Sequence, residues 1–321
     1  MNSTTKKLSM RVWGSCVAAA AFLTMAGAVS AEPVCEYGCG ESPEAPVDCS
    51  AGCTRNVFGW AGVNVNADEV VCVQPGRFLF GGVNMNGGEL RVCGAAYPRY
   101  FNANTADVNV LGTLRTANIN MNGTDSHLMN YGTLNVGTLN FQSVFENHGD
   151  ATIRSGGLNV NWGAVFVNSG DIDINGNVND VGLFINWGRM LIDGSVNLNN
   201  GDFTNSCETD ITGDLNVSRA AVNAGSLNVD GTITLNQSLA LAPGAVTETS
   251  NLMVNAPVYG PEDVCASIKI DHNTTINSNG PVSGLVDICD ANGIEVQNGP
   301  LEDTVTTDCS CTVCDDLPPV I

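Results

Sequence analysis

Asparagine carries the chemistry that this sequence can be read to offer. Asn130, Asn147, Asn168, Asn186, Asn205 and Asn223 recur 17, 21, 18, 19 and 18 residues apart, five of them as Asn-x-Gly and one as Asn205-Ser206-Cys207. A second file, Asn140, Asn159, Asn179, Asn197 and Asn216, continued by Thr234, runs at the same period. Each amide offers two donors and one carbonyl acceptor. Stacked inside a fold, such groups satisfy one another; arrayed on a flat face, they match a repetitive ligand such as a glycan or an ice lattice. The residue after each anchor asparagine is Tyr131, His148, Ser169, Trp187, Ser206 or Ala224. Of these, Tyr131, His148 and Trp187 could form an exposed aromatic edge, interrupted at Ser169, able to stack on sugar rings.

Other reactive types are present without a reactive pattern. Asp171, Asp173, Asp193, Asp210 and Asp214 could hold Ca²⁺ if neighbouring segments brought three or more oxygens together, but the glycine-rich Ca²⁺-binding nonapeptide is absent. A solvated acidic face is the better reading, and no cofactor is called for. A polysaccharide lyase or glycoside hydrolase would need clustered acids with a base, or paired carboxylates, in a groove built by long loops. Arg115, Arg154, Arg189 and Arg219 fall at scattered phases, and His127, His148 and His272 are far apart in sequence. No catalytic constellation emerges, so the chain reads as a non-enzyme.

Cysteines mark the two ends. Cys35, Cys39, Cys49, Cys53, Cys72 and Cys93 precede the regular block; Cys265, Cys289, Cys309, Cys311 and Cys314 follow it; Cys207 alone lies within. Zinc is disfavoured because no histidine lies near either cluster and the chain reads as exported, so disulfide-stapled caps are expected. Cys207 makes the C-terminal set even and could pair with a tail cysteine.

The elements that must position these residues follow from the spacing. Leu134-Asn135-Val136, Gly137 and Leu139-Asn140-Phe141 follow one anchor; Ile172-Asp173-Ile174, Gly176 and Val178-Asn179-Asp180 follow another. Apolar-x-apolar is the period of a strand with one buried face. Three short strands fill a unit of eighteen to nineteen residues, and no helix fits. A unit this small cannot bury its own apolar side and must stack on copies of itself. The fold class is therefore all-β, a single-stranded parallel β-helix, right-handed by the crossover rule. Its regular part covers 127–241 within a solenoid of 57–300, after a Cys-rich segment of 32–56 and before a Cys-rich tail of 301–321. About twelve coils would give a rod roughly 60 Å long.

Residues 1–31 read as a secretory signal: Lys6, Lys7 and Arg11 precede the apolar run 17–25, and Val29-Ser30-Ala31 offers a small-residue cleavage site. No later apolar stretch approaches the length of a membrane span. Without the signal, nine Lys and Arg face 33 Asp and Glu, a net charge of −24. Such a surface repels phosphate backbones, which excludes nucleic acid as a partner.

The repeated Gly-x-Leu-Asn-Val phrase and the entry Val71-Cys72-Val73-Gln74-Pro75-Gly76 resemble exported adhesin-like parallel β-helix proteins of Gram-negative bacteria, notably those of Bacteroidota with Asn/Gly-rich coils. The resemblance covers about residues 70–298. It implies an exported, secreted or cell-surface protein with a structural or adhesive role and a glycan or cell-surface ligand. A carbohydrate-active β-helix enzyme is the alternative.

Overall fold

The computed structural model describes residues 48–49, 51–154, 156–161, 163–180, 182–262, 264–277, 281–290, 292–307 and 309. Residues 1–31, Cys35, Cys39, Cys311 and Cys314 lie outside them. All named elements are strands, and every pairing between them is parallel. Each coil visits three faces in turn. One face is a thirteen-stranded sheet that runs from Arg55–Asn56 to Val282–Ser283 and includes His127–Asn130, Val165–Asn168 and Leu183–Asn186; it is called the anchor face. The chain then crosses a middle face, with strands such as Asp150–Ile153 and Asp171–Asn175, and an outer face, with strands such as Val63–Asn66 and Leu158–Val160. In Thr113–Asn122 and Thr133–Phe141 one continuous strand serves both of the last two. The expected parallel β-solenoid is what forms.

Register is kept by the alternation of buried and exposed side chains, because a one-residue slip would turn every core residue outward. Leu128, Phe145, Phe166, Phe184 and Phe203 are in-register partners on successive coils and are all buried. Phe145 meets Phe166 edge-on at 5.5 Å, and Phe166, Phe184 and Phe203 stack along the rod axis, the closest being Phe166 on Phe184 at 4.2 Å between centroids. This central column holds four of the six fully buried phenylalanines, Phe145, Phe166, Phe184 and Phe203.

Crowding favours glycine at the corner after the anchor, where only the Asn205 coil has another residue, Cys207. A Cβ on Gly149, Gly170 or Gly188 would sit 2.1 to 2.3 Å from the carbonyl oxygen of the glycine one coil earlier. None of the three has positive φ. The corner thus selects glycine for close approach of backbones.

Two disulfides staple the first coils, Cys49–Cys93 and Cys53–Cys72, and Cys289–Cys309 ties the last described residue to the final coils. Cys207 and Cys265 are disulfide-bonded as well. The bridges fit an oxidising compartment. Among the described residues, no helix is long and apolar enough to cross a membrane. Arg55 also shields the open strand edge by donating to the carbonyl of Asn64, a common way of blunting a solenoid end.

Candidate functional site

The anchor asparagines point inward and form one hydrogen-bonded file. All six are buried. The Nδ2 of Asn130 donates to Oδ1 of Asn147 at 2.7 Å, and the pattern continues through Asn168, Asn186, Asn205 and Asn223 at 2.8 to 3.0 Å. Each Nδ2 also donates to a backbone carbonyl of the next coil, as Asn168 does to Arg189 at 3.0 Å. Every donor in the file therefore points toward the C-terminus.

The C-terminal end of this file is closed by Asn223 donating to Thr247 Oγ1 at 3.0 Å. Its N-terminal end is open: Asn130 Oδ1 is buried without a partner, because the preceding rung is Val110. Val110→Thr should place a hydroxyl donor there and raise stability by about 1 kcal/mol. Val92→Thr, one coil earlier and without such an acceptor, should lower it. Urea midpoints compare the two, and equal effects would show that the open end is not the cause.

The outward file is longer than the sequence suggested. Asn64, Asn84, Asn102 and Asn120 precede Asn140 in unbroken register, so nine rungs run from Asn64 to Asn216 before Thr234. These amides also bond to one another: Asn120 to Asn102 at 3.2 Å, Asn140 to Asn120 at 3.0 Å, Asn159 to Asn140 at 2.7 Å, Asn179 to Asn159 at 3.5 Å and Asn216 to Asn197 at 3.0 Å. Here the donors point toward the N-terminus, opposite to the inner file. Each outward amide keeps its second N–H for solvent or ligand.

A second outward file stands two residues further along each strand. Asn66, Asn86, Asn104 and Asn122 are exposed in-register partners, and Gln142 and Asn161 hold the equivalent places in the next two coils. Asn86, Asn104 and Asn122 donate no side-chain hydrogen bond to a described residue. With strands about 4.8 Å apart and alternate residues about 6.6 Å apart, the outer face is a grid of amides in two dimensions. The repeated triplet Asn-apolar-Asn was its signal in the sequence.

The aromatic edge takes a different form from the expected one. Tyr131 and His148 do stack, at 4.8 Å, but His148 is buried, with Nδ1 2.6 Å from Ser169 Oγ and Nε2 3.0 Å from Glu146 Oε2. Burial, and then Glu146, push the Tyr131 hydroxyl up to about 12. Ser169 separates this pair from Trp187, so the three do not form a continuous edge.

The exposed rings lie elsewhere. Trp60 is 75% exposed and stacks at 4.5 Å on Phe80, which stacks at 5.6 Å on Tyr97. These three occupy one outward file at the corner between middle and outer faces. Phe78 lies beside Phe80, Arg77 sits over the ring of Phe58, and the exposed Tyr100 rests on Gly82, whose Cβ would be 2.1 Å from the ring. These rings belong to the irregular early coils and share no sequence repeat.

The proposed Ca²⁺ ligands do not assemble. Asp171 and Asp173 project from the middle face, while Asp193 accepts from Thr212 and Asp214 from the backbone of Thr232. Among the described residues, no three of His, Cys, Asp or Glu converge on a cation-sized space. His127 also approaches a carboxylate, that of Asp107 at 3.7 Å, half-exposed on the flat anchor face. Desolvation raises the Asp107 carboxyl, opposed by His127 and reinforced by Glu89. Comparison with known protein families, curated proteins and solved structures finds no match to this chain.

Proposed function

We propose that this chain is an exported, non-enzymatic adhesive rod that binds glycan surfaces through its outer face, in the manner of the adhesin-like β-helix proteins it resembles. The observation that carries the reading is the two-file amide grid of the first coils, where Asn84, Asn102 and Asn120 run beside the unpaired Asn86, Asn104 and Asn122. A polysaccharide lying along the rod would present hydroxyls at a repeat near the strand spacing. Each amide can both donate to and accept from such a hydroxyl. The exposed Tyr100 and Trp60 border the same coils and could stack on sugar faces. The disulfide-stapled ends and the apolar run near the N-terminus support export.

The test is sedimentation with insoluble chitin and cellulose, together with an assay for soluble products. Binding without product is expected. The triple variant Asn86→Thr, Asn104→Thr and Asn122→Thr should lose binding tenfold or more, because threonine keeps strand preference and removes the amide. Released oligosaccharides would support the enzymatic alternative and defeat this reading, and undiminished binding by the variant would place the surface elsewhere.

A further inference from the structure

The corner that carries the aromatic stack continues into a cationic notch. After Trp60, Phe80 and Tyr97, the next places of the file are Arg115 and Asn135, since Ala96 is in register with Leu114 and Arg115 with Asn135. Beside this file, at the turn onto the outer face, two successive coils present only Ala117 and Gly137. The coil after them presents Arg154, whose amide bonds to the carbonyl of Val136. Small residues between longer ones leave a concavity of about 620 Å³, lined by Tyr97, Arg115, Asn135, Gly137, Thr138 and Arg154 among others, with no carboxylate in its wall. That volume is within the usual range for a small-ligand site.

Charge makes the notch unusual. Five of the nine Lys and Arg beyond the signal, Arg55, Arg91, Arg189, Arg219 and Lys269, are in ion pairs. Arg115 and Arg154 are exposed and pair with no described acid, although the chain has 33 Asp and Glu. On so acidic a protein, two unpaired guanidinium groups at one concavity are a local reversal of sign. Tyr97 has Phe80 on one side and the notch on the other, because every other lining residue belongs to its own or a later coil. Asn135, in the same wall, has a buried carbonyl oxygen with no partner.

We infer that this notch binds a carboxylated sugar unit carried on an otherwise neutral glycan. The pyranose ring would lie in the notch against Tyr97, beside the Arg115 side chain that follows it in the file. Its carboxylate would lie between Arg115 and Arg154, which are two coils or about 10 Å apart at the backbone and converge through long side chains. A long polyanion is disfavoured by the net charge of the rod, while a single carboxylate is screened from distant acids beyond about 8 Å at physiological salt. The inference shares with the proposed function only the idea that the rod binds glycan, since the notch and the amide grid are separate sites.

The experiment is calorimetric titration of the full-length secreted protein with two tetrasaccharides, identical except that one ends in glucuronic acid and the other in glucose. The acidic probe should bind at least tenfold more tightly, with affinity falling as NaCl is raised. The double variant Arg115→Gln and Arg154→Gln should erase that preference while leaving sedimentation on chitin or cellulose unchanged. Arg154→Glu should reverse it. Because both arginines are exposed, circular dichroism and Tm of the variants should match the parent. Equal affinity for the two probes would overturn the inference, as would a preference that survives both substitutions. Concentration-dependent dimerisation abolished by the double variant, without glucuronate preference, would assign the notch to a second copy instead and equally overturn it. Loss of notch binding with the amide grid still active, or the converse, separates the two sites.

Discussion

Asn168→Asp is expected to destabilise the rod by about 4 kcal/mol at neutral pH, despite changing one atom type and almost no volume. The two N–H of Asn168 Nδ2 are shared among three acceptors, Oδ1 of Asn186 at 2.8 Å and the carbonyls of Gly170 and Arg189 at 3.0 Å each. An ionised aspartate would turn all three donations into contacts between acceptors, at a site with no solvent exposure. Asn186 Oδ1 and the Gly170 carbonyl keep a second donor, the amides of Gly188 and Arg189, so the cost lies mainly in burying the charge. Protonation restores one donor, so the carboxyl should titrate above its unfolded value of about 3.9 in the folded variant. The folded state then binds more protons than the unfolded one, and stability falls as pH rises from the unfolded pKa to the folded one, by up to about 1.4 kcal/mol per pH unit. Urea titrations of parent and variant at several pH values measure this. A variant within 1 kcal/mol of the parent at pH 7 would mean that the inner file is not closed to water.

Phe184→Ala should cost about 3–5 kcal/mol, the range for losing a buried aromatic with incomplete collapse of the site. Phe184 is fully buried between Phe166 at 4.2 Å and Phe203 at 6.0 Å. Its place is held on both sides by backbone that pairs in register, so the coils cannot close the gap. The rod itself shows the limit of relaxation: where the column passes from Phe203 to Ala221, a void of about 10 Å³ remains. A solenoid is stabilised coil against neighbouring coil, so weakening one interface near the middle should also divide the cooperative unit. Hydrogen exchange should show the coils on either side of Phe184 losing protection together, while those stapled by Cys49–Cys93 and Cys53–Cys72 keep theirs. Uniform loss along the rod would contradict this picture.

Much of this was legible because it is local. Asn-x-Gly told which asparagines turn inward, since the anchor lies two residues after a buried phenylalanine or leucine, and the crowded corner explains the glycine. The outward file was recognised only from Asn140 because the earlier coils lack the anchor asparagine and have different corners. Asn64, Asn84, Asn102 and Asn120 nonetheless sit in the same Asn-apolar-Asn triplets. The exposed side of that triplet was the overlooked signal.

The notch and the aromatic stack were not legible in this way. Trp60, Phe80 and Tyr97 belong to no repeat, and Arg115 and Arg154 lie 39 residues apart at positions that look unrelated along the chain. They meet because coils of slightly different length still stack in register, and each irregular corner shifts which residues share an edge. By itself the sequence determined the strand period, the corner residues and the need to stack, all of which depend on neighbours within one coil. Only the tertiary structure decided which amides stay free, which ring faces are open and which arginines lack an acid, because those depend on what lies one or two coils away across a shared corner.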